Sequence, residues 1–291
     1  MKESDLGMKL ISYIFLIFVL MVCIIPMLIV ISVSLSEGNV ITLYGYSILP
    51  KQFSFEAYKY IWKYGGNIWN AYIISIVVTV VGTLFGLLFT AQFSYALSRK
   101  NYKYKNILSK MAYFTMLFSG GMIPSYILVT QYLHLKNTLF VLIILGMISP
   151  WNVLLIKSFF EETAEELLEA AYLDGASEYT IFYKIIMPIS TPVLATIACY
   201  LSLGYWNDWQ KALLYITESR LQPLQYLLYK MSMNLEEMQK QLSYFGGTSQ
   251  YFPSEPVRMA MAVVATGPIF LIFAFMQKYF VSGITVGSVK G

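Results

Sequence analysis

Runs of apolar residues long enough to cross a lipid bilayer recur along this sequence. A membrane-spanning helix needs about 20 predominantly apolar residues, and residues 10–32 contain no charged side chain. Hydrophobic residues make up 57% of the chain and charged residues only 12%, which is about half the charged share of a soluble domain. A large soluble core would instead be built from shorter, amphipathic stretches. We therefore predict an integral membrane protein.

Six segments are candidates for membrane-spanning helices: residues 10–32, 68–97, 111–133, 138–156, 189–216 and 257–280. Helices are expected because the bilayer core cannot satisfy unpaired backbone groups. The first segment is too long for the apolar part of a signal peptide, and no clear cleavage site follows it, so we expect it to be retained. The predicted fold class is all-α, and residues 1–291 are predicted to form a single transmembrane domain.

Ten cationic residues that flank the predicted spans fall on one side of the membrane if there are six spans. They are Lys2, Lys9, Arg99, Lys100, Lys103, Lys105, Lys110, Lys157, Lys278 and Lys290. Such residues concentrate on the cytoplasmic side, so both termini are predicted to be cytoplasmic. The net charge is +4. Because the cations gather beside apolar runs, where they set topology, the positive charge does not indicate a nucleic-acid partner.

Two predicted outer loops are longer than a connection requires. Residues 34–67 combine lysines with tryptophans and tyrosines, a composition typical of a segment at the membrane interface. Within residues 217–256, residues 224–242 show a helical spacing of apolar residues and are predicted to form a helix along the surface. In the second span, Gly82 and Gly86 have the G-x-x-x-G spacing that permits close helix approach, although chance placement explains it almost as well.

Few residues suited to covalent or metal chemistry are present. Cys23 and Cys199 both lie inside apolar runs, which argues against a disulfide framework and against a metal site. The one histidine, His134, lies in a short polar turn with no ligand partners near it in the sequence. The phosphate-binding sequence G-x-x-x-x-G-K-[ST] does not occur. We therefore expect no catalytic residue, no metal and no resident cofactor.

The loop that follows the fourth span has the features of a rigid helical element. Residues 161–173 favour helix and are acidic at their start, as the positive end of a helix dipole prefers. Gly175 can take the left-handed conformation that ends a helix. Ser177 is suited to cap a second helix, and Pro188 is expected to end it near Met187. The bend also carries three small side chains, those of Ala170, Ala171 and Ala176.

This element has two interpretations on physical grounds. It is either a docking surface, with Glu169 and Asp174 available to pair with a partner's cations, or an interfacial helical loop without a partner. The order Glu169-Ala170-Ala171, three residues, Gly175, nine residues, Ile185, one residue, Met187-Pro188 resembles the EAA loop of binding-protein-dependent ABC import permeases. The pattern of that loop is EAA-x3-G-x9-I-x-LP, and its one departure here, Met187, conserves volume. With six spans and the ending KYFVSGITVGSVKG, the chain is similar to the MalG-like branch of carbohydrate ABC permeases.

The resemblance implies the permease fold of type I ABC importers, in which the EAA loop is a coupling helix seated in a separate ATPase. On that analogy Glu169 pairs with an arginine of the ATPase and Gly175 provides the bend. The coupling residues implied are Glu169, Ala170, Ala171, Asp174, Gly175 and Pro188. The tail, residues 282–291, is expected to reach the ATPases, which bind ATP and magnesium.

The resemblance also implies further partners and a location. A homologous second permease is expected, together with an extracellular binding protein that is lipid-anchored or periplasmic. Membrane lipid and a sugar substrate complete the expected partners. The expected location is the plasma membrane of a prokaryote. Whether this chain pairs with itself is left open.

The fifth segment, residues 189–216, would be about 40 Å long as one helix at 1.5 Å per residue. The stretch GYWNDWQ, residues 204–210, is therefore predicted to lie within the membrane, where a carboxylate such as Asp208 is a candidate functional group. Flat aromatic faces suit sugar rings, and amides suit hydroxyl groups. The candidate substrate path consists of Trp151, Asn152, Tyr205, Trp206, Asn207, Asp208, Trp209 and Gln210. The alternative is that these residues serve helix packing and the membrane interface.

Three other functions are weighed against a sugar permease. An ion-coupled secondary transporter would need ionisable residues across several spans, and all but the fifth have essentially none. An ABC permease for amino acids, peptides or metals is disfavoured by the aromatic and amide side chains, and a cation also by the absence of acidic clusters. A membrane-embedded enzyme would need a nucleophile–base pair, which the sequence does not suggest. The identity and length of the sugar are not readable.

Overall fold

The computed structural model describes residues 2–162, 165–244 and 254–287. Within these ranges the regular structure is helical, apart from one isolated antiparallel β-bridge between Ser36 and Phe53. The α-helices are α1 (Lys2–Ser34), α2 (Gly38–Tyr44), α3 (Glu56–Tyr64), α4 (Ile68–Ser98), α5 (Lys105–Leu117), α6 (Met122–Ile127), α7 (Leu139–Ile144), α8 (Pro150–Glu161), α9 (Glu165–Leu173), α10 (Glu178–Thr180), α11 (Met187–Ile189), α12 (Thr191–Trp206), α13 (Gln210–Tyr215), α14 (Leu224–Tyr244) and α15 (Ser254–Gly287). π-Helical turns cover Leu128–Tyr132 and Ile181–Ile186, and a 3-10 turn covers Ser219–Leu221. The predicted all-α fold class is confirmed.

Three helices are long and apolar enough to cross a membrane, namely Met8–Ser34, Ile68–Ser98 and Ser254–Ala274. They coincide with the first, second and sixth predicted spans. Two bent pairs add one span each if each pair crosses as a unit: Lys105–Leu117 with Met122–Tyr132, bent by 116°, and Glu178–Ile189 with Thr191–Trp206, bent by 81°. The described residues therefore give three spans, or up to five, and the predicted count of six is not obtained.

The third and fourth predicted spans, residues 111–133 and 138–156, are broken helices. Between α5 and α6 the backbone of Gly121 takes φ +85°, a conformation that glycine adopts readily and that interrupts helical hydrogen bonding. Between α7 and α8 the chain leaves the helix over residues 145–149. Pro150 then lies in the first turn of α8, where its missing N–H is tolerated.

The fifth predicted span, residues 189–216, is also interrupted, and the expectation of a single helix of about 40 Å is wrong. The helix α12 ends at Trp206, and α13 begins at Gln210. The carboxylate of Asp208 in the gap accepts a 3.0 Å hydrogen bond from the backbone N–H of Lys211. This bond satisfies one of the free N–H groups of the new helix, as a capping side chain does.

The chain divides into two compact units, which are described separately. The first unit comprises Met1–Ile68 and Leu227–Gly267, and the second comprises Trp69–Tyr226 and Pro268–Gly291. The prediction that residues 1–291 act as one permease domain stays a prediction.

In the first unit, side chains from α1, α3, α14 and α15 form the core. Val33, Ala57, Ile61, Leu235 and Val257 are all buried. The outer face of α3 is exposed at Lys59, Trp62 and Lys63, which agrees with an amphipathic interfacial segment. The predicted helix over residues 224–242 is present as α14.

In the second unit, other elements pack closely against two glycines of α4. A Cβ atom at Gly82 would lie 2.5 Å from Cζ of Tyr205, and one at Gly86 would lie 3.0 Å from the carbonyl oxygen of Met147. No side chain larger than hydrogen fits at Gly82 without movement of its neighbour. The close approach that the G-x-x-x-G spacing permits is therefore present, although the sequence left chance placement open.

Candidate functional site

Residues 165–189 form a helix–turn–helix that we call the coupling element. The first helix, α9, ends at Leu173, and Gly175 follows with φ +75°, as predicted for a glycine that terminates a helix. The Ser177 hydroxyl then accepts a 3.3 Å hydrogen bond from the backbone N–H of Thr180 and caps the second helix. The sequence therefore predicted both the glycine that ends the first helix and the serine that caps the second.

Two boundaries of the coupling element differ from the prediction. The helix predicted over residues 161–173 is two helices, since Glu161 ends α8 and α9 begins at Glu165. At the other end, Pro188 does not end the helical run, which continues to Ile189. The π-turn Ile181–Ile186 lies immediately before Met187 and Pro188. Proline removes the hydrogen bond to the residue four places earlier, and a widened turn at that point accommodates the loss.

The coupling element has one buried apolar face. Leu168, Ala171, Ile181, Phe182 and Ile186 are buried in a cluster with residues of α4, α8 and α12. Interlocking side chains make such a cluster rigid and resistant to deformation. The coupling element is therefore firmly packed against α4, α8 and α12 within the second unit.

The opposite face of the coupling element is exposed and carries the predicted docking residues. Glu169, Ala170 and Asp174 are exposed, whereas Ala171 faces the core. Leu173 is 89% exposed and Tyr179 is 75% exposed. The sequence analysis missed Leu173, although an apolar residue two positions before a helix-terminating glycine was a signal that could have singled it out. An exposed leucine flanked by two carboxylates is suited to protein docking.

A carboxylate inside the bend joins three helices. Glu178 accepts a 2.5 Å hydrogen bond from the hydroxyl of Tyr95 on α4 and a 2.6 Å bond from the hydroxyl of Tyr172 on α9. Burial raises the pKa of the Tyr172 phenol, and its hydrogen bond to Glu178 raises that pKa further. The phenol therefore stays a proton donor at neutral pH. None of these three residues was predicted.

A cavity of about 780 Å³ opens between the coupling element and the end of α4. Tyr95, Arg99, Glu169, Tyr172 and Glu178 are among the residues that line it. Lysine and arginine side chains line it together with glutamates, and two of these residues, Lys105 and Glu161, form an ion pair, so the cavity has no single charge sign.

An ion triplet fixes the α5–α8 edge of this cavity. The ammonium of Lys105 lies 2.7 Å from Oε1 of Glu161, and that of Lys157 lies 3.4 Å from Oε2. Burial alone would raise the pKa of Glu161, but the hydrogen bond from Lys105 and the positive charges of Lys157 and Lys105 outweigh it. The pKa of this carboxyl therefore lies below its ordinary value.

The candidate substrate path is only partly exposed. Tyr205 and Trp206 are buried, and the Tyr205 hydroxyl donates a 2.7 Å hydrogen bond to the carbonyl of Ile143. In α8, Trp151 is 62% exposed whereas its neighbour Asn152 is buried. Adjacent residues of a helix point about 100° apart, so these two do not present a joint aromatic–amide surface.

The gap between α12 and α13 holds the remaining predicted path residues. Asn207 and Gln210 are exposed, Trp209 is half-buried, and the amide oxygen of Asn207 accepts a 3.3 Å hydrogen bond from Gln225. Asp208 is not a free carboxylate, since its Oδ2 lies 2.5 Å from the ammonium of Lys211. The sequence analysis missed Lys211, although its spacing of three from Asp208 was a readable signal.

Residues with metal or redox chemistry are scattered. In the described ranges no group of three or more His, Cys, Asp or Glu side chains is arranged to hold a metal ion. Cys23 is exposed on α1, Cys199 is buried in α12, and both are free thiols. His134 lies in a turn with φ +51°. The last four residues of the predicted ATPase-contacting tail lie outside the described residues.

Comparison with known proteins gives consistent matches. Residues 82–286 match the model of the binding-protein-dependent transport system inner membrane component family. The chain is 38% identical over 272 residues to protein LplC of Bacillus subtilis, covering 93% of this chain and 90% of that protein. It is 35% identical to the polygalacturonan/rhamnogalacturonan transport system permease protein YtcP of the same organism, covering 96% of each.

A solved structure is similar over nearly the whole chain. It is a chain of a bacterial ABC transporter involved in the import of the acidic polysaccharide alginate. The TM-score is 0.78 at 28% sequence identity, and the match covers 95% of this chain and 98% of the other.

Proposed function

The chain belongs to the family of binding-protein-dependent transport system inner membrane components, and from this premise we propose that it is the permease of an ATP-driven oligosaccharide importer. As a member of that family it is a multi-pass plasma-membrane subunit that does not itself catalyse a reaction. Such a permease works with an ATPase, a second permease and a solute-binding protein. In our proposal both termini are cytoplasmic, as the lysine and arginine distribution predicts.

The observation that carries the proposal is the two-sided character of the coupling element. Its inner face is buried in the core of the second unit, while Leu173 projects from its outer face at 89% exposure. Burying a leucine side chain in a partner contributes about 1.5–3 kcal/mol. In our proposal Leu173 fills an apolar depression of the ATPase, and Glu169 and Asp174 pair with cations around it.

The proposed mechanism is alternating access driven from the coupling element. When two ATPases close on ATP, they draw two such elements together. Because the inner face of the element is interlocked with α4, α8 and α12, its displacement turns these helices as a body rather than deforming them. The cavity that holds the substrate then changes its exposure from one side of the membrane to the other.

The cargo is proposed from the relatives and from the exposed residues of the path. YtcP is named for the transport of polygalacturonan and rhamnogalacturonan. Another relative, MelC, is named for the import of melibiose, raffinose and stachyose. The side chains of Trp151, Asn207, Trp209 and Gln210 supply aromatic faces and amides for sugar rings and hydroxyls. The paired charges of Asp208 and Lys211 add an acceptor and a donor without net charge. We propose an oligosaccharide as the cargo, and uronic-acid oligosaccharides are the first to test.

The docking proposal is tested on the transporter complex purified from its native membrane. We expect Leu173→Ala and Glu169→Lys to weaken retention of the ATPase about tenfold or more and to abolish ATP hydrolysis stimulated by the binding protein. Gly175→Pro is expected to do the same, because proline cannot adopt the positive φ found there. Glu162→Lys, an exposed carboxylate outside the coupling element, serves as the charge-matched control.

Two outcomes decide between the candidate functions. Normal retention of the ATPase and normal ATP hydrolysis in Leu173→Ala and Glu169→Lys would refute the docking role. If the binding protein binds amino acids or peptides but no oligosaccharide, the permease is an ABC permease for another solute.

A further inference from the structure

One face of the last two turns of α4 is directed at the coupling element. Gln92, Tyr95 and Arg99 are separated by three and four residues, the spacing that aligns side chains along one helix face. The amide of Gln92 donates a 2.9 Å hydrogen bond to the Tyr183 hydroxyl of the coupling element. Four residues beyond Tyr95, the guanidinium of Arg99 lies 4.6 Å from the centre of the Tyr95 ring.

Tyr95 and Glu178 form the strongest polar link in this face. The Tyr95 hydroxyl donates to Oε2 of Glu178 at 2.5 Å, a length typical of a hydrogen bond to a charged oxygen. The Tyr95 ring also packs against Phe182, with ring centres 5.0 Å apart. Because Glu178 binds Tyr172 of α9 through its other oxygen, one carboxylate holds both arms of the coupling element to α4.

The other end of α4 contacts the candidate substrate path. Gly82 lies directly under the Tyr205 ring, and the ring centre of Tyr72 lies 6.4 Å from that of Trp206. The Ser75 hydroxyl accepts a 2.8 Å hydrogen bond from the backbone N–H of Leu224. A single helix therefore connects the coupling element with the gap that holds the predicted path residues.

We propose that Tyr95 and Glu178 form a latch that fixes the coupling element to α4, so that displacement of the element by the ATPase is delivered along α4 to the substrate path. The latch rests on the proposed function, because it assigns a route to the motion that the ATPase drives. Tyr95 and Glu178 are positioning residues in this proposal, since they contact neither substrate nor nucleotide. Packing alone would keep the element attached, but the directional hydrogen bonds fix its angle to α4.

Two variants break or weaken the latch with little change of shape. Tyr95→Phe deletes only the hydroxyl and keeps the ring against Phe182, and Glu178→Gln replaces the charged acceptor by a neutral amide at nearly constant volume, which weakens the hydrogen bond. Tyr104→Phe is the matched control, because Tyr104 is an exposed tyrosine of the connection that follows α4. The two latch variants are expected to give the same result. A defect seen in only one of them would indicate a folding problem of that variant.

The first readout is the position of the coupling element relative to α4. Spin labels at Asn101 and Lys184, both exposed, are introduced by cysteine substitution in a Cys23→Ser, Cys199→Ser background of the full chain in lipid nanodiscs. We expect a narrow distance distribution in the background protein and in Tyr104→Phe. Tyr95→Phe and Glu178→Gln should broaden the distribution, and an unchanged distribution overturns the latch.

The second readout is the amount of oligosaccharide transported per ATP hydrolysed by the reconstituted transporter. We expect this ratio to fall about fivefold or more in both latch variants, since loss of a hydrogen bond to a charged group is an effect of that order. Retention of the ATPase and basal ATP hydrolysis should stay unchanged, which a purely structural defect would not allow. An unchanged transport ratio also overturns the latch.

Failure of the latch and failure of the proposed function give different results. If the unmutated transporter moves oligosaccharide without ATP, the proposed function is wrong, and the label distances still decide whether Tyr95 and Glu178 fix the element. If the unmutated transporter is coupled and both latch variants remain coupled, the latch alone is wrong.

Discussion

The hydroxyl of Tyr205 donates a 2.7 Å hydrogen bond to the main-chain carbonyl of Ile143, while its ring covers Gly82 of α4. This side chain therefore joins α12 to α4 and to the end of α7. Because both its ring and its hydroxyl are occupied by the protein, Tyr205 holds the helices around the candidate path together. Its role as a platform for a sugar ring stays a prediction. The exposed residues of the gap between α12 and α13 are better placed to contact a sugar than the buried Tyr205.

Gly82→Ala should destabilise the permease. The added Cβ would lie 2.5 Å from Cζ of Tyr205, and relief of such overpacking typically costs about 1–3 kcal/mol. Gly204→Ala is the control, since a Cβ there meets no atom within 4 Å and alanine favours helix by about 0.5–1 kcal/mol over glycine. The thermal unfolding midpoint in nanodiscs should fall for Gly82→Ala only. Equal midpoints for the two variants would contradict the contact.

Neutralising one partner of the Asp208–Lys211 pair should cost more than neutralising both. The carboxylate and ammonium lie 2.5 Å apart and are partly buried, and a buried charge left without its partner is strongly unfavourable. We expect Asp208→Asn and Lys211→Met each to lower the unfolding midpoint. The double variant should unfold at a higher temperature than either single variant, and a double variant below both would show that the two charges act independently.

The Lys105–Glu161–Lys157 triplet should make stability depend on pH in the acid range. The pKa of Glu161 is lowered in the folded protein, so the triplet's stabilisation is present above the ordinary glutamate pKa and is lost as the pH falls through the folded-state value. Wild type should therefore be more stable than Glu161→Gln at pH 7, and the difference should disappear at strongly acidic pH. The effect is small, below about 1 kcal/mol, because the carboxylate is partly exposed to solvent.

Unfolding midpoints measured between neutral and acidic pH check this dependence. Glu162→Gln is the matched control for loss of a carboxylate, since the described residues give Glu162 no ion pair. A Glu161→Gln difference that grows as the pH falls would have the wrong sign for a lowered pKa.

The sequence predicted the features that depend on local chemistry. Gly175 has the left-handed conformation and Ser177 the capping bond that their residue types indicated. The all-α fold followed from the length of the apolar runs, whereas the glycine spacing at Gly82 permitted close approach without deciding it. The conformation of Gly175 and the cap at Ser177 depend on a few neighbouring residues. The all-α fold depends on the apolar solvent around the chain.

The breaks in the membrane helices and the contacts between distant elements were not predictable in the same way. Hydropathy does not distinguish one continuous helix from two shorter helices in the same segment. The two helices here, α12 and α13, are separated by a polar gap in which Asp208 caps α13. The Tyr95–Glu178 bond joins residues 83 positions apart, so no local pattern reveals it. Met187–Pro188 misled the boundary prediction because a π-turn absorbs the missing hydrogen bond upstream.

Uptake of labelled oligosaccharide into proteoliposomes that contain the complete transporter tests the central claim most directly. We predict uptake only when ATP reaches the ATPases and the binding protein is present on the opposite side, with uronic-acid oligosaccharides tested first and neutral ones second. The same vesicles with Glu169→Lys should show no uptake. Uptake that persists without ATP and follows an imposed ion gradient would contradict the account and identify an ion-coupled transporter instead.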